Sequence, residues 1–269
     1  GGFAWRAWLK GRVKTLGRVG QGRRVPHTHM DTAEASVRAA AQVYIARTSI
    51  AHPQCRSLDV TPGSLDVTPG SDTPMTAGKI VSVLVLHAGN TAVAHVQWAD
   101  RAGWLTLLLE HGEWIVISSI TSSTVGTATP ADMAAAVEAC WVEYCGANRQ
   151  CDGARMAQVF HPQCRLTYTG PDGALVIKSQ EAFVQMVSER YSTPMHAPYA
   201  HLRDDPRVAA RDDLLSASFA TPDVCMVVLK VGHPPMLWTD VLTCARLGDK
   251  WWIVAKSSCS EPLLKDEAK

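Results

Sequence analysis

No stretch of this chain approaches the roughly 18 consecutive apolar residues of a membrane-spanning helix, because its apolar runs are broken every few residues by His, Gln, Asp or Arg. There is no Gly-x-Gly-x-x-Gly, no phosphate loop and no Gly-x-Ser-x-Gly elbow, which disfavours nucleotide-dependent chemistry and triad hydrolysis. The eight cysteines form no Cys-x-x-Cys pair, which argues against a structural zinc site. Cys55 stands alone in the first half, while the other seven fall at 140 and beyond. They read as reduced, mostly buried thiols, which implies an intracellular protein, cytoplasmic or mitochondrial.

Acids are missing from residues 1–29, which hold Arg6, Lys10, Arg12, Lys14, Arg18, Arg23 and Arg24. The remainder carries 19 basic against 25 acidic residues, so the mildly acidic body gives no footprint for nucleic acid. Three readings of this arm stay open. Phe3, Trp5, Trp8, Leu9, Val13 and Leu16 suit one face of a basic helix, as in a transit peptide or membrane-surface segment. Alternatively, Met30 is the natural start, or the arm grips a larger assembly as a contact for a protein partner.

What is present is a repeat. The 269 residues, 46% hydrophobic and 19% charged, suffice for two compact domains. Residues 238–259 predict an antiparallel hairpin around Leu247-Gly248-Asp249-Lys250, and residues 104–119 carry the same pattern. Leu105, Thr106 and Trp114 fall on Leu242, Thr243 and Trp251 at a constant offset of 137. His52-Pro53-Gln54-Cys55-Arg56 returns unchanged as His161-Pro162-Gln163-Cys164-Arg165, and Val37 and Tyr44 match Val137 and Tyr144 on Ala-rich helical runs. Preserved order points to an old duplication.

The first helix is expected over 33–48, capped by Asp31 or Thr32. Thr129-Pro130-Ala131-Asp132 opens its counterpart, whose Val137, Cys140, Trp141, Tyr144 and Cys145 recur at spacings of three and four and share one buried face. The second half has room for a helix over 152–159 and a third from Ser179, read as a capping-box start. The first half is shorter and lacks both. It instead copies Ser57-Leu58-Asp59-Val60-Thr61-Pro62-Gly63 as Ser64-Leu65-Asp66-Val67-Thr68-Pro69-Gly70, which reads as a loop expansion with Pro-Gly turns.

The helix bearing Tyr144, the Phe160-to-Leu166 strand start, Thr239-Asp240-Val241-Leu242-Thr243 and Gly248-Asp249-Lys250-Trp251-Trp252-Ile253-Val254 together resemble the nuclear-transport-factor-2-like superfamily. Within it they resemble the polyketide-cyclase-like group and the one labelled "putative lumazine-binding". The resemblance implies an α+β fold of two cone-shaped domains, each a curved, mostly antiparallel sheet with helices on one face, and a pocket between. The expected division is an arm at 1–29, a degenerate domain at 30–121, a linker at 122–130, a complete domain at 131–262 and a polar tail at 263–269. Sheets are a surface on which such domains commonly pair, so an intramolecular pseudo-dimer is expected.

Alternation puts Trp238, Asp240 and Leu242 on one strand face. Facing the cone, Asp240 would be a carboxylate in an apolar pocket, suited to acid/base work; otherwise it bonds backbone or caps the sheet rim. His161 and His201 are the candidate assistants, although keeping His52 in a domain that lacks the pocket argues that the motif is structural. Trp141, Tyr144, Phe160, Tyr199, Trp238 and Leu242 are candidate lining residues for a small apolar molecule. A metal would need His196, His201 and Asp204 or Asp205 to converge, and neither metal nor cofactor is expected. The favoured function is a non-catalytic tandem domain that binds a small apolar molecule or serves an assembly. The alternatives are a cofactor-independent lyase or isomerase (dehydratase, cyclase or ketosteroid-isomerase type) and a subunit of an organellar complex.

Overall fold

The structure, a computed structural model, describes residues 28–46, 51–61, 64–69, 78–86, 90–124, 126–170 and 172–263. The basic arm lies outside these residues up to position 27, as does the tail beyond Leu263.

Two six-stranded sheets carry the chain. The first half contributes α1 (Thr28–Ala46), β1 (Ala51–Thr61), β2 (Ser64–Pro69), β3 (Lys79–Val85), β4 (Thr91–Gln97), β5 (Ala102–Glu110) and β6 (Glu113–Ser122). The second contributes α2 (Pro130–Val137), a π-helical turn (Glu138–Val142), α3 (Glu143–Gln150), α4 (Gly153–Val159), β7 (Phe160–Thr169), β8 (Leu175–Ser179) and α5 (Gln180–Ser188). Short 3-10 turns at Arg190–Ser192 and Ala197–Leu202 follow, then α6 (Pro206–Ala209), β9 (Asp213–Thr221), β10 (Val224–His233), β11 (Met236–Leu247) and β12 (Lys250–Pro262).

The strand orders are β2-β1-β6-β5-β4-β3 and β8-β7-β12-β11-β10-β9, so the second sheet repeats the first strand for strand. In each, the first strand pairs in parallel with the last and the other pairs are antiparallel. The repeat read from the sequence thus reappears as topology. Both predicted hairpins form, with positive φ at Gly112 in one turn and Gly248 in the other, a backbone that glycine adopts without strain.

The layers run helix, sheet, sheet, helices. Leu86, Val93, Trp104 and Ile120 of the first sheet pack on Val224, Met226, Val228, Val241, Ala245 and Val254 of the second, so the two sheets bury one face against each other. Each such aliphatic side chain removed from water contributes roughly 1.5–3 kcal/mol. On the other face of the first sheet, Val37 and Ala41 of α1 cover Ala94, Val96, Leu105 and Leu107. On the other face of the second, α2 to α5 cover Leu229, Leu242, Cys244 and Ile253 with Val137, Tyr144, Met156 and Phe183.

Three local expectations are corrected. Helix α1 begins at Thr28, ahead of Asp31 and Thr32, because no glycine or proline interrupts the chain between Pro26 and that point. The tandem copy is a hairpin rather than a loop: Leu58 pairs with Val67, Asp59 with Asp66 and Val60 with Leu65, since Ser-Leu-Asp-Val-Thr alternates with the period of a strand. Ser179 does cap α5 by accepting from the Ala182 N–H, but Ala182 at the third position cannot complete a capping box. The full box is at α2, between Thr129 and Asp132.

Candidate functional site

The centre of the second domain is a buried charge cluster. Asp240, fully buried on β11, shares its strand face with Leu242, which lies in the core under the helices, while Val241 points into the contact with the first sheet. Opposite them on β12 stand Ser258, paired with Asp240, and Lys256, paired with Leu242. Simple alternation from Trp251 and Ile253 would turn Lys256 away from the helices. A bulge prevents this: Thr243 faces Ala255 while Cys244 faces Ile253, so Val254 is the extra residue and the phase of β12 is reset. Lys256 Nζ thereby reaches Asp240 Oδ1 and Ser258 Oγ, and Ser258 Oγ donates to Asp240 Oδ1 at 2.7 Å.

The helices supply the third donor. Within the π-helical turn the Glu143 N–H bonds back to the Glu138 carbonyl, the one-residue widening that defines this turn. Val137, Cys140, Trp141, Tyr144 and Cys145 all end up buried toward the sheet. The Tyr144 hydroxyl donates to Asp240 Oδ2 at 2.6 Å. Burial, and secondarily the Asp240 charge, push the Tyr144 hydroxyl well above its ordinary pKa, so it remains a donor at any physiological pH. Lys256 Nζ lies 5.9 Å from the Tyr144 ring and 5.8 Å from that of Phe183, which gives its ammonium two aromatic neighbours.

A second polar group surrounds Arg190, which is 2% exposed. Its Nη1 donates to the Asn148 carbonyl at 2.8 Å and its Nη2 to Asn148 Oδ1 at 2.6 Å. His196 and His233 are neighbours, with ring centroids 5.8 Å apart, and His233 stacks on Trp238 at 5.6 Å. Burial first, and then the Arg190 charge, hold His233 well below the usual histidine range, so its ring is neutral. His196 Nδ1 lies 2.8 Å from the Pro234 carbonyl, which makes it the donor. Among the described residues, the buried Trp141 Nε1 and Trp238 Nε1 have no protein partner, as is true of Trp98 Nε1 and Trp104 Nε1 in the first half, whereas the Asn148 side chain also bonds the Tyr144 hydroxyl.

The sequence candidates separate on this frame. Asp240, Tyr144, Trp141, Phe160 and Leu242 are brought together in the helix-covered core, with Trp238 packed against it. Asp240 is neither a lone carboxylate in an apolar pocket nor a rim cap; it is an ion-paired carboxylate accepting three side-chain donors. His161 is not brought to it, because Phe160 takes the inward position of β7 and His161 packs edge-on against Trp252 at 5.6 Å, on the side of the sheet contact. His201 is exposed and Tyr199 half-buried in the Ala197–Leu202 turn. Lys256, Ser258, Arg190 and Asn148 escaped the sequence reading. The sole signal for Lys256 was a lysine inside a β-prone run, where a charge must be paired if buried.

Cys140, Cys145, Cys164, Cys225, Cys244 and Cys259 are buried free thiols, and Cys151 is a half-buried one. Burial raises the Cys145, Cys225 and Cys244 thiols, which leaves them inert. Among the described residues no three His, Cys, Asp or Glu side chains gather as a metal site, and no helix is long and apolar enough to cross a membrane.

Residues 132–257, just under half of the chain, match the family model described as "Putative lumazine-binding". Solved structures similar to this chain include two proteins of unknown function described as NTF2-like. The one from Shewanella baltica is 14% identical, covering 51% of this chain and 99% of its own, with a TM-score of 0.41. The one from Silicibacter pomeroyi is 20% identical, covering 49% and 99%, with a TM-score of 0.38. A cystatin-like fold protein from Burkholderia xenovorans is 21% identical, covering 49% and 94%, with a TM-score of 0.34. No curated protein matches the chain.

Proposed function

We propose that the chain is a non-catalytic binding protein that holds a small, largely apolar molecule on the helix-covered side of its second sheet, with the first sheet serving as a structural cover for the opposite face. The observation that supports this reading is a pair of buried indole N–H donors without a protein partner, Trp141 Nε1 and Trp238 Nε1; Trp98 and Trp104 of the first half carry unmatched N–H groups too, so it is the match of residues 132–257 to the family model that selects the second half. Native interiors leave few polar groups unmatched, since each costs about 1–3 kcal/mol. A ligand with acceptor groups on an apolar body suits them, and the family description points the same way. Against catalysis stands the saturation of Asp240, whose carboxylate already accepts from Tyr144, Lys256 and Ser258.

Mass spectrometry of small molecules retained by the purified full chain tests the reading. A reproducible acceptor-bearing compound, lost on replacing Trp238 by Ala, is the expected result. Preparations without a retained compound, together with no change in tryptophan fluorescence across a fragment library, would sink it.

A second reading, a cofactor-independent lyase or isomerase, draws on one observation: the continuous chain Tyr144–Asp240–Lys256 joins a neutral donor, a carboxylate and an ammonium in a dry site, the components of proton transfer. Its signature would be a ligand that Asp240→Asn still binds but no longer turns over.

A further inference from the structure

We propose that residues 191–201 form a strap that opens as a unit while both sheets stay intact, that His196 is its latch, and that its opening uncovers His233 and Trp238. This rests on the reading of the second domain as a small-molecule binding site and supplies the way into it.

Helices α2 to α5 each sink a side chain into the core beneath them, Val137, Tyr144, Met156 and Phe183 in turn, so none of them can lift without emptying that core. The connection from α5 to β9 is built differently. Arg190 and Val208 are buried, but no residue from Tyr191 to Arg207 is fully so. The first part of this connection is made of the 3-10 turns Arg190–Ser192 and Ala197–Leu202, and its backbone bonds are local. The His196 and Ala197 N–H groups donate to the Thr193 carbonyl, and the Tyr199 N–H donates to that of His196. A segment that satisfies its own backbone and sends no side chain into the core belongs to the low-stability end of a fold and can open by itself.

Both ends of the strap are fixed. Arg190 donates twice to Asn148 near the end of α3. At the other end Arg203 donates to the Arg149 and Gln150 carbonyls, and Leu202 rests on Val208, Leu237 and Leu263. Between these anchors, His196 Nδ1 donates to the Pro234 carbonyl in the β10–β11 turn at 2.8 Å. The His196 ring meets Tyr191 of the strap at 6.3 Å and His233 of β10 at 5.8 Å, and His233 stacks on Trp238 at 5.6 Å. Four rings thus run in a row from the strap to an indole whose buried N–H has no protein partner. Lifting His196 takes the outer two rings away and lays the inner two bare.

The alternative is that this segment moves only when the whole domain unfolds. Hydrogen exchange of the full chain in dilute denaturant, read by mass spectrometry, separates the two. Peptides spanning 191–201 should exchange through an opening that denaturant does not affect, while those of β10 and β11 follow global unfolding. His196→Ala should speed exchange across 191–201 about 10-fold, as expected for the loss of one hydrogen bond and its ring contacts, leave β10 and β11 unchanged, and raise hydroxyl-radical oxidation of Trp238. His196→Asn, which keeps an N–H donor near the position of Nδ1, should restore much of the protection. His201→Ala, in the same segment but exposed, should change nothing. Exchange of 191–201 that tracks global unfolding overturns the strap. An opening that His196→Ala does not alter, or that leaves Trp238 oxidation unchanged, overturns the latch and the way in. None of these readouts uses a ligand. A compound retained by a chain whose strap stays shut therefore overturns the strap and keeps the binding reading, whereas an opening strap on a chain that retains nothing bears out the strap and counts against the binding reading alone.

Discussion

Where the second sheet carries Asp240, the first carries Gly103; where the second carries Lys256, the first carries Ser119; and where the second carries Ser258, the first carries Thr121. The frames around these positions are the same. The first sheet has its own bulge at Ile117, between the Thr106–Ser118 and Leu107–Val116 pairs, which is the counterpart of Val254. A side chain at Gly103 would strike the Ile120 carbonyl at 2.0 Å, so the first sheet has no space for an acid there. Strand order, bulge and turn are thus obtained without any buried charge. The charges of the second sheet are an addition that the topology does not require, and the second half is also the one with the helices α2 to α6, against α1 among the described residues of the first.

That contrast can be broken, and the largest effect should come from Lys256→Met. Removing one member of a buried pair leaves Asp240 uncompensated and should cost about 3–5 kcal/mol by chemical denaturation, whereas Ser119→Ala in the first sheet should cost about 1 kcal/mol or less. The double change Asp240→Leu with Lys256→Met, which makes the second sheet as uncharged as the first, should recover most of the loss. A neutral Lys256→Met would mean that the pair does not form. Next, Met226→Ala at the contact between the sheets should cost about 2–4 kcal/mol and should loosen both halves together, seen as one cooperative transition. Two separate transitions in the natural chain would contradict the shared core.

Tyr144→Phe should be milder, about 1.5–3 kcal/mol, because the carboxylate keeps two of its three donors. The smallest effect is that of pH. Burial holds His95, in the first sheet, and His161, His196 and His233, in the second half, below the ordinary histidine value. The unfolded chain then takes up protons first, so stability is complete above about pH 6.5 and declines as pH falls below it. Thermal midpoints should drop between pH 7.5 and 5, and His233→Asn should flatten the slope more than His95→Gln. The reverse order would place the sensitivity in the contact between the sheets.

Much of this fold was legible because it depends on local rules. The inward set Trp238, Asp240 and Leu242 follows from alternation on β11, and the buried face of the Tyr144 helix follows from spacings of three and four. The site was half legible for a definite reason. Asp240 lies on an unbulged stretch, so counting by twos finds it, whereas Lys256 lies beyond the bulge at Val254, where the same count gives the wrong face. Arg190 and Asn148 meet across 42 positions in sequence, through packing of a 3-10 turn on a helix end, and no periodicity reports such a contact. The tandem copy misled because Pro-Gly punctuation outweighed the alternation between its copies.

Thr124, in the connection between the two sheets, donates to Asp223 at 2.6 Å, so only about seven residues separate the end of β6 from the start of α2. A tether this short holds the two faces at a millimolar effective concentration. Two separate chains pairing through the same surfaces would come apart on dilution. Here the second sheet keeps its cover at any abundance, and the two halves can change independently without altering their stoichiometry.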